Sequence, residues 1–180
     1  MLQEKEFIKE LLNPKTQNQA FKKLLKEYQK PLYNHIRTIV LNHDDTDDVL
    51  QNTFVKVFKY LNKFKGESKL FSWMYRIATN EALTFLNIKG KINGISSETL
   101  QKKTIDNLKA DIYFDGDEIQ FKLQRAIASL PKKQQLVFKM KYFEELKYEE
   151  ISEILGTSVG GLKASYYHAV KKIEAFVTIN

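Results

Sequence analysis

Along most of this chain apolar residues return at three- and four-residue steps, the spacing that places them on one face of an α-helix. Phe7, Ile8, Leu11 and Leu12 predict a short first helix ending near Asn13 and Pro14. Ala20, Phe21, Leu24, Leu25 and Tyr28 predict a second, stopped before Pro31. Leu32, Ile36, Ile39 and Val40 predict a third, from Pro31 to about Asn42 and His43.

The clearest stripe follows. Leu50, Phe54, Val57, Phe58 and Leu61 form a predicted core face. Asp44, Asp45, Thr46, Asp47 and Asp48 precede it, with side-chain oxygens where a helix start leaves backbone N–H groups unpaired and its dipole positive. Asp48, Gln51, Asn52 and Val55 share another face, either solvated or free to meet a protein partner. Gly66, among Lys65, Glu67, Ser68 and Lys69, breaks the pattern. Leu70, Trp73, Met74, Ile77 and Ala78 then predict a helix that packs on the previous one, with Ser72, Arg76, Thr79 and Asn80 on its opposite face.

From Gly90 to Glu118 the periodicity fades, and Gly, Ser, Asn and charged residues predict a flexible linker. Glu98, Asp106, Asp111, Asp115, Asp117 and Glu118 outnumber Lys91, Lys102, Lys103 and Lys109 there. Helical spacing returns with Ile119, Leu123, Ile127 and Leu130, then with Leu136, Val137, Met140 and Phe143 after Pro131, a residue suited to a helix first turn. After Tyr148 to Leu155, Gly156 supplies the left-handed residue that ends a helix and Ser158 a cap for the next. Small Ser152, Gly156 four positions on and apolar Leu162 six beyond have the spacing of a helix-turn-helix. The predicted fold is all-α: two small helical domains, 1–89 and 119–180, joined by the linker 90–118.

With 180 residues, 43% of them hydrophobic, the chain has room for such cores. No run approaches the roughly 18 to 20 apolar residues needed to cross a bilayer. The first residues lack a basic segment followed by an apolar one. A cytoplasmic protein without direct membrane insertion is expected. The absence of cysteine rules out disulfides, and the imidazoles of His35, His43 and His168 are scattered, so neither a metal nor another cofactor is expected. His35 reads as a surface or boundary residue rather than a ligand. Asp44, Asp45, Asp47 and Asp48 would suit magnesium in an enzyme acting on nucleic acid, but capping and the helix dipole already account for them, and no catalytic residue is assigned.

The net charge of +7 fits nucleic acid as a partner, or equally a lysine-rich soluble protein. Only Arg37, Arg76 and Arg125 of the 29 basic residues are arginine, so bidentate arginine–guanine contacts have little part in base reading. Around the Gly66 loop, lysines interleave with Phe58, Tyr60, Phe64, Phe71, Trp73 and Tyr75, rings that suit stacking on unpaired bases or simply a core. In the second helix of the helix-turn-helix, Gly160, Gly161, Lys163, Ala164 and Tyr167 point outward near the start, and Lys163 is the best contact candidate. Tyr166, Ala169 and Ile173 face the core, while His168, Lys171 and Lys172 reach phosphate or are solvated.

Asp48-Val49-Leu50-Gln51-Asn52-Thr53-Phe54, Phe64-Lys65-Gly66-Glu67-Ser68, and Trp73 to Ala78 with Asn80 resemble region 2 of the extracytoplasmic-function group of bacterial sigma-70 factors. Leu130-Pro131, Tyr148 to Ile151, and Ser158-Val159-Gly160 with Lys163 resemble region 4 of the same group. This chain has Asn52, Thr79, Thr84 and Asn87 where the family usually shows Glu, Arg, Asp and Arg. Arginines usual in the recognition helix are replaced around Ser165 and His168. The resemblance spans Phe21 to Leu86 and Ile119 to Phe176. It implies a non-catalytic promoter-specificity subunit that directs transcription initiation. Its implied partners are bacterial core RNA polymerase and promoter DNA, and it admits an anti-sigma factor, membrane-bound or soluble. Carried over residue by residue, Asp48, Gln51, Asn52 and Val55 would bind core polymerase. Lys65, Gly66, Ser68, Lys69, Arg76 and Asn80 would contact the melted minus-ten element, and Ser158, Gly160, Gly161, Lys163, Tyr167 and His168 the minus-thirty-five element. The linker would follow the RNA path through polymerase, or be a plain tether. Taken alone, the helix-turn-helix also fits an operator-binding regulator, which would hold a duplex without polymerase.

Overall fold

The second and third predicted helices are one. In the computed structural model, which describes residues 2–107 and 118–179, a helix runs without interruption through Pro31. Along the chain lie α1 (Leu2–Leu12), α2 (Gln17–Val40), α3 (His43–Tyr60) with a 3-10 turn (Leu61–Lys63), and α4 (Leu70–Ile92). Then follow α5 (Ser97–Asp106), α6 (Glu118–Ala128), α7 (Lys132–Tyr142), α8 (Tyr148–Leu155) and α9 (Val159–Ile179). The linker residues Lys109, Asp111, Asp115 and Asp117 lie outside the described residues.

Pro31 deprives α2 of one backbone donor, yet it sits on the solvent side while Ala20, Leu24, Leu32, Ile36 and Ile39 are buried on the other. That burial outweighs a local preference to stop. The helix ends at Leu41 in the left-handed conformation (φ 67°), whose N–H donates to the Arg37 carbonyl. Asn42 then caps α3, its side chain accepting from the Asp45 N–H at 2.9 Å, so the cap stands just ahead of the acidic run.

Helices α2, α3 and α4 pack against one another around Leu24, Leu32, Ile36, Leu50, Val57 and Met74. Thr46 and Thr53 join the buried face of α3, their hydroxyls donating to the carbonyls of Asn42 and Val49. Phe58, expected in that core, is 45% exposed. It aligns instead with Gln51 and Val55, seven and three positions back, and packs edge-on against Phe21 of α2 at 5.0 Å.

The expected flexible linker is partly a helix. Ser96 caps α5 by accepting from the Thr99 N–H at 3.1 Å, Gln101 donates to the Ile39 carbonyl at 3.1 Å, and Ile105 is buried beside Leu41. Gly90 permits this fold-back, because the Ile95 N–H reaches its carbonyl at 2.9 Å and leaves no room for a side chain. In the C-terminal half, Ala126, Ile127, Leu130, Phe138, Ala169 and Ile173 form a core among α6, α7 and α9. Ile119, a turn ahead of that contact, is 73% exposed, and Phe143, at the C-cap of α7, is 40% exposed; neither is the core residue expected.

Candidate nucleic-acid interface

Asp48, Gln51, Asn52 and Val55 are all exposed on α3. Val55 and Phe58, with Phe21 and Leu25 of α2, wall an open groove of about 580 Å³ floored by Leu50 and Phe54. Asp47, Gln51 and Gln29 supply its polar rim. An apolar channel between two helices with polar edges suits the apolar face of a partner helix. Of the predicted residues, Gln51 lies on the rim and Val55 on the wall, Asp48 and Asn52 are outside the lining, and Phe58, three positions after Val55 on the same side of α3, was missed.

The loop before α4 turns at Gly66 (φ 72°), a backbone conformation favouring glycine, with Lys65 and Lys69 exposed and Ser68 half-buried. Arg76 and Asn80 stand one turn apart on the exposed strip of α4. Ser72 and Thr79, expected beside them, are buried, Thr79 against His35 of α2. Most of the neighbouring rings belong to the core: Phe64 and Tyr75 are buried, Phe64 meets Trp73 at 5.2 Å, and Phe71 lies on Tyr75 at 4.1 Å. Burial holds the Tyr75 hydroxyl protonated far above its ordinary range, with the Glu144 charge adding to the effect. Of the six rings, Phe58 is exposed and Tyr60, Phe71 and Trp73 are partly open.

His35, expected at the surface, is 1% exposed. Its Nδ1 lies 2.9 Å from Glu144 Oε1, in the turn between α7 and α8, and its Nε2 lies 2.8 Å from Thr79 Oγ1. The imidazole therefore bridges α2, α4 and the α7–α8 turn. Helix α8 lies along α4: Arg76 Nε donates to the Glu153 carbonyl at 3.1 Å, Arg76 Nη2 contacts the same oxygen, and Lys69 Nζ lies 3.2 Å from Glu150 Oε1. The Glu150 carboxylate raises the Lys69 ammonium above its ordinary pKa. Nearby on α7, Lys139 is buried, and desolvation pushes it down to about 8 against the opposing pull of Glu144.

In the helix-turn-helix, Gly156 (φ 63°) ends α8 and Ser158 Oγ accepts from the Gly161 N–H at 3.3 Å, as the sequence predicts. Leu162, Ala169 and Ile173 are buried, whereas Ser158, Gly160, Lys163, Tyr167 and His168 are exposed and Gly161 is half-buried. Gly161 is small for a reason, since a Cβ there would approach Ser158 Oγ at 3.3 Å; Gly160 faces open space. Lys163 Nζ stands 5.8 Å from the centre of the Tyr148 ring. Lys171 pairs with Glu174 at 3.0 Å, which leaves Lys163 the stronger candidate for phosphate.

Asp45 is taken by Lys89 at 2.6 Å, and among the described residues no cluster of His, Cys, Asp or Glu could hold a metal ion. Among the same residues no helix is long and apolar enough to cross a membrane.

The family model for sigma-70 region 2 matches residues 24–91 and that for sigma-70, region 4 matches residues 120–173. An ECF RNA polymerase sigma-E factor of Haemophilus influenzae is 28% identical over 163 residues, covering 86% of each chain. The RNA polymerase sigma factor SigV of Bacillus subtilis is 28% identical over 152 residues, covering 84% of this chain and 87% of its own. In shape, CnrH, solved in complex with the cytosolic domain of CnrY, superposes with a TM-score of 0.66 at 18% identity over 91% of this chain and 90% of its own. RpoE of Bartonella quintana, solved with the anti-sigma factor NepR, gives 0.64 at 18% identity, covering 89% and 98%.

Proposed function

The chain belongs to the extracytoplasmic-function group of the sigma-70 family, a sigma subunit that directs transcription initiation, and on that premise we propose how its surfaces divide the work. The groove of α2 and α3, lined by Gln51 and Val55, together with exposed Asp48 and Asn52 on the same helix, takes a helical element of core RNA polymerase. The observation that carries this is the exposure of Val55 and Phe58, 60% and 45%, beside a groove that the fold leaves unfilled. Lys65, Lys69, Arg76 and Asn80 meet the melted minus-ten strand, with Gly66 and Ser68 shaping the approach; the lysines supply phosphate attraction and Asn80 an amide for a base edge. The start of α9, with Ser158, Gly160, Gly161, Lys163, Tyr167 and His168, enters the major groove at the minus-thirty-five element, where the helix N-terminus adds partial positive charge.

In this reading the protein has no catalysis of its own, works in the cytoplasm, and is open to control by an anti-sigma factor, as the solved complexes of CnrH and of RpoE suggest. Reconstitution tests it. The purified chain added to bacterial core polymerase should give initiation at defined sites on genomic templates. Tight duplex binding without polymerase and no site-specific initiation with it would instead support an operator-binding regulator.

A further inference from the structure

Helix α4 starts without a cap of its own. Lys69 stands at its N-cap in extended backbone (φ −62°, ψ 145°) and makes no side-chain bond to the first turn, where a helix leaves N–H groups unpaired. The acceptor comes from α1: the Leu70 N–H donates to Glu4 Oε1 at 2.9 Å, across 66 positions of sequence. A carboxylate there meets both the free N–H and the positive end of the helix dipole.

Leu70 directly follows the Lys65–Lys69 loop, and α1 also packs against the 3-10 turn that precedes it. Helix α1 therefore touches the chain on both sides of the loop, and buried Leu11 with half-buried Phe7 and Ile8 hold α1 itself to the core. Between those two points the loop has little to fix it. Among the described residues Lys65, Gly66, Glu67 and Ser68 make no hydrogen bond. We propose that Glu4 is a positioning residue for strand recognition: through its carboxylate α1 fixes the start of α4, and with it the place of Lys65 and Lys69. This rests on the reading of the loop as a contact to the melted strand. Direct contact by Glu4 would have the opposite effect, because its charge lies near Lys69 and repels phosphate.

The sign of the effect therefore decides. Hydrogen exchange of the Leu70 amide is followed in the free chain, and core-polymerase capture and the permanganate footprint of the open region in the reconstituted holoenzyme. The variants are Glu4→Ala, Glu4→Gln, which keeps an acceptor oxygen without the charge, Lys65→Ala, and Glu6→Ala. Glu6 is exposed on the same helix and makes no hydrogen bond or ion pair among the described residues, so it is the control. Glu4→Ala should speed Leu70 exchange roughly three- to thirtyfold, the range for losing a helix cap, and weaken the footprint about threefold or more, with core capture and helicity unchanged. Glu4→Gln should restore most of both, and Glu6→Ala should alter neither. Unchanged Leu70 exchange in Glu4→Ala, or a stronger footprint, overturns the proposal. So does an equal loss of core capture, which would make Glu4 a general stabiliser of the fold. If exchange speeds up while the footprint holds, Lys65→Ala separates the failures: a weakened footprint there overturns positioning alone, and an unchanged one overturns the reading of the loop and positioning with it.

Discussion

Replacing Lys139 by methionine should stabilise this protein at neutral pH and flatten its alkaline stability profile. The side chain is 4% exposed, at the seam where α7 meets Ile39 of α2, Leu86 of α4 and Gln101 of α5. Desolvation lowers its pKa from 10.5 to about 8, with Glu144 working in the opposite direction. An unfolded lysine holds its proton more tightly, so folding is penalised wherever the ammonium is charged. The penalty is full below the folded pKa and relieved as pH rises toward the unfolded one. A shift from 10.5 to about 8 corresponds to at most about 3 kcal/mol. Methionine is unbranched and carries no charge, so Lys139→Met should gain about 1 to 3 kcal/mol near pH 7, the pull of Glu144 being already contained in the net shift. For a chain of this size that is a rise in Tm of roughly 3 to 10 °C.

Urea unfolding followed by circular dichroism, at steps from about pH 7 to about pH 9.5, measures it. Parent stability should climb toward that of the variant over this window while the variant stays level. The upper limit matters because Tyr28, pushed up to about 12 by burial, and Tyr75, raised further, contribute stability below pH 10.0 that is lost above it. Parallel profiles for parent and variant, or a variant less stable at neutral pH, would show that the ammonium is not desolvated and refute the reasoning.

Other substitutions probe the remaining elements. Gly90→Ala places a Cβ 2.9 Å from the Ile95 carbonyl oxygen and 3.2 Å from the Ser97 nitrogen, both backbone, and should cost about 1 to 3 kcal/mol in urea unfolding; an unchanged midpoint would remove close approach as the reason for glycine there. Glu145 holds φ at 53°, so Glu145→Gly should gain about 0.5 to 1 kcal/mol in a thermal melt, and a loss would show its side chain outweighs the strain. Val55→Asp with Phe58→Ser, at exposed positions, should weaken core-polymerase capture at least about tenfold at unchanged helicity, whereas undiminished capture would remove the groove from the interface. Lys163→Ala should cost about 1 to 3 kcal/mol at the cognate upstream element alone if Lys163 reads a base, and weaken all sequences alike if it meets phosphate; competition binding at fixed salt separates the two.

What the sequence made legible was the phase of each helix, because burial on one side imposes its own period. Leu162, Ala169 and Ile173 are buried and Lys163 and Tyr167 exposed as spacing requires, and the Gly156 turn and Ser158 cap are local chemistry. What stayed hidden depends on distant partners. Pro31 reads as a stop until the burial of residues on both sides of it is known, and α5 owes its place to a bond from Gln101 to a carbonyl 62 positions away. His35, Thr79 and Lys139 look like surface residues because polar groups usually are, and nothing local announces Glu144. Their location still carries meaning. Among α2, α3 and α4 the interior is largely apolar, and buried threonine hydroxyls are satisfied within their own helices. Across the seam to α7 and α8, apolar contact through Met140 and Ile151 is interrupted by an imidazole, a carboxylate and an ammonium. A permanent interface gains little from such groups, since apolar residues of similar volume pack there at no desolvation cost. What they add is register, because a mispaired seam would leave the imidazole, the carboxylate or the ammonium buried without its partner.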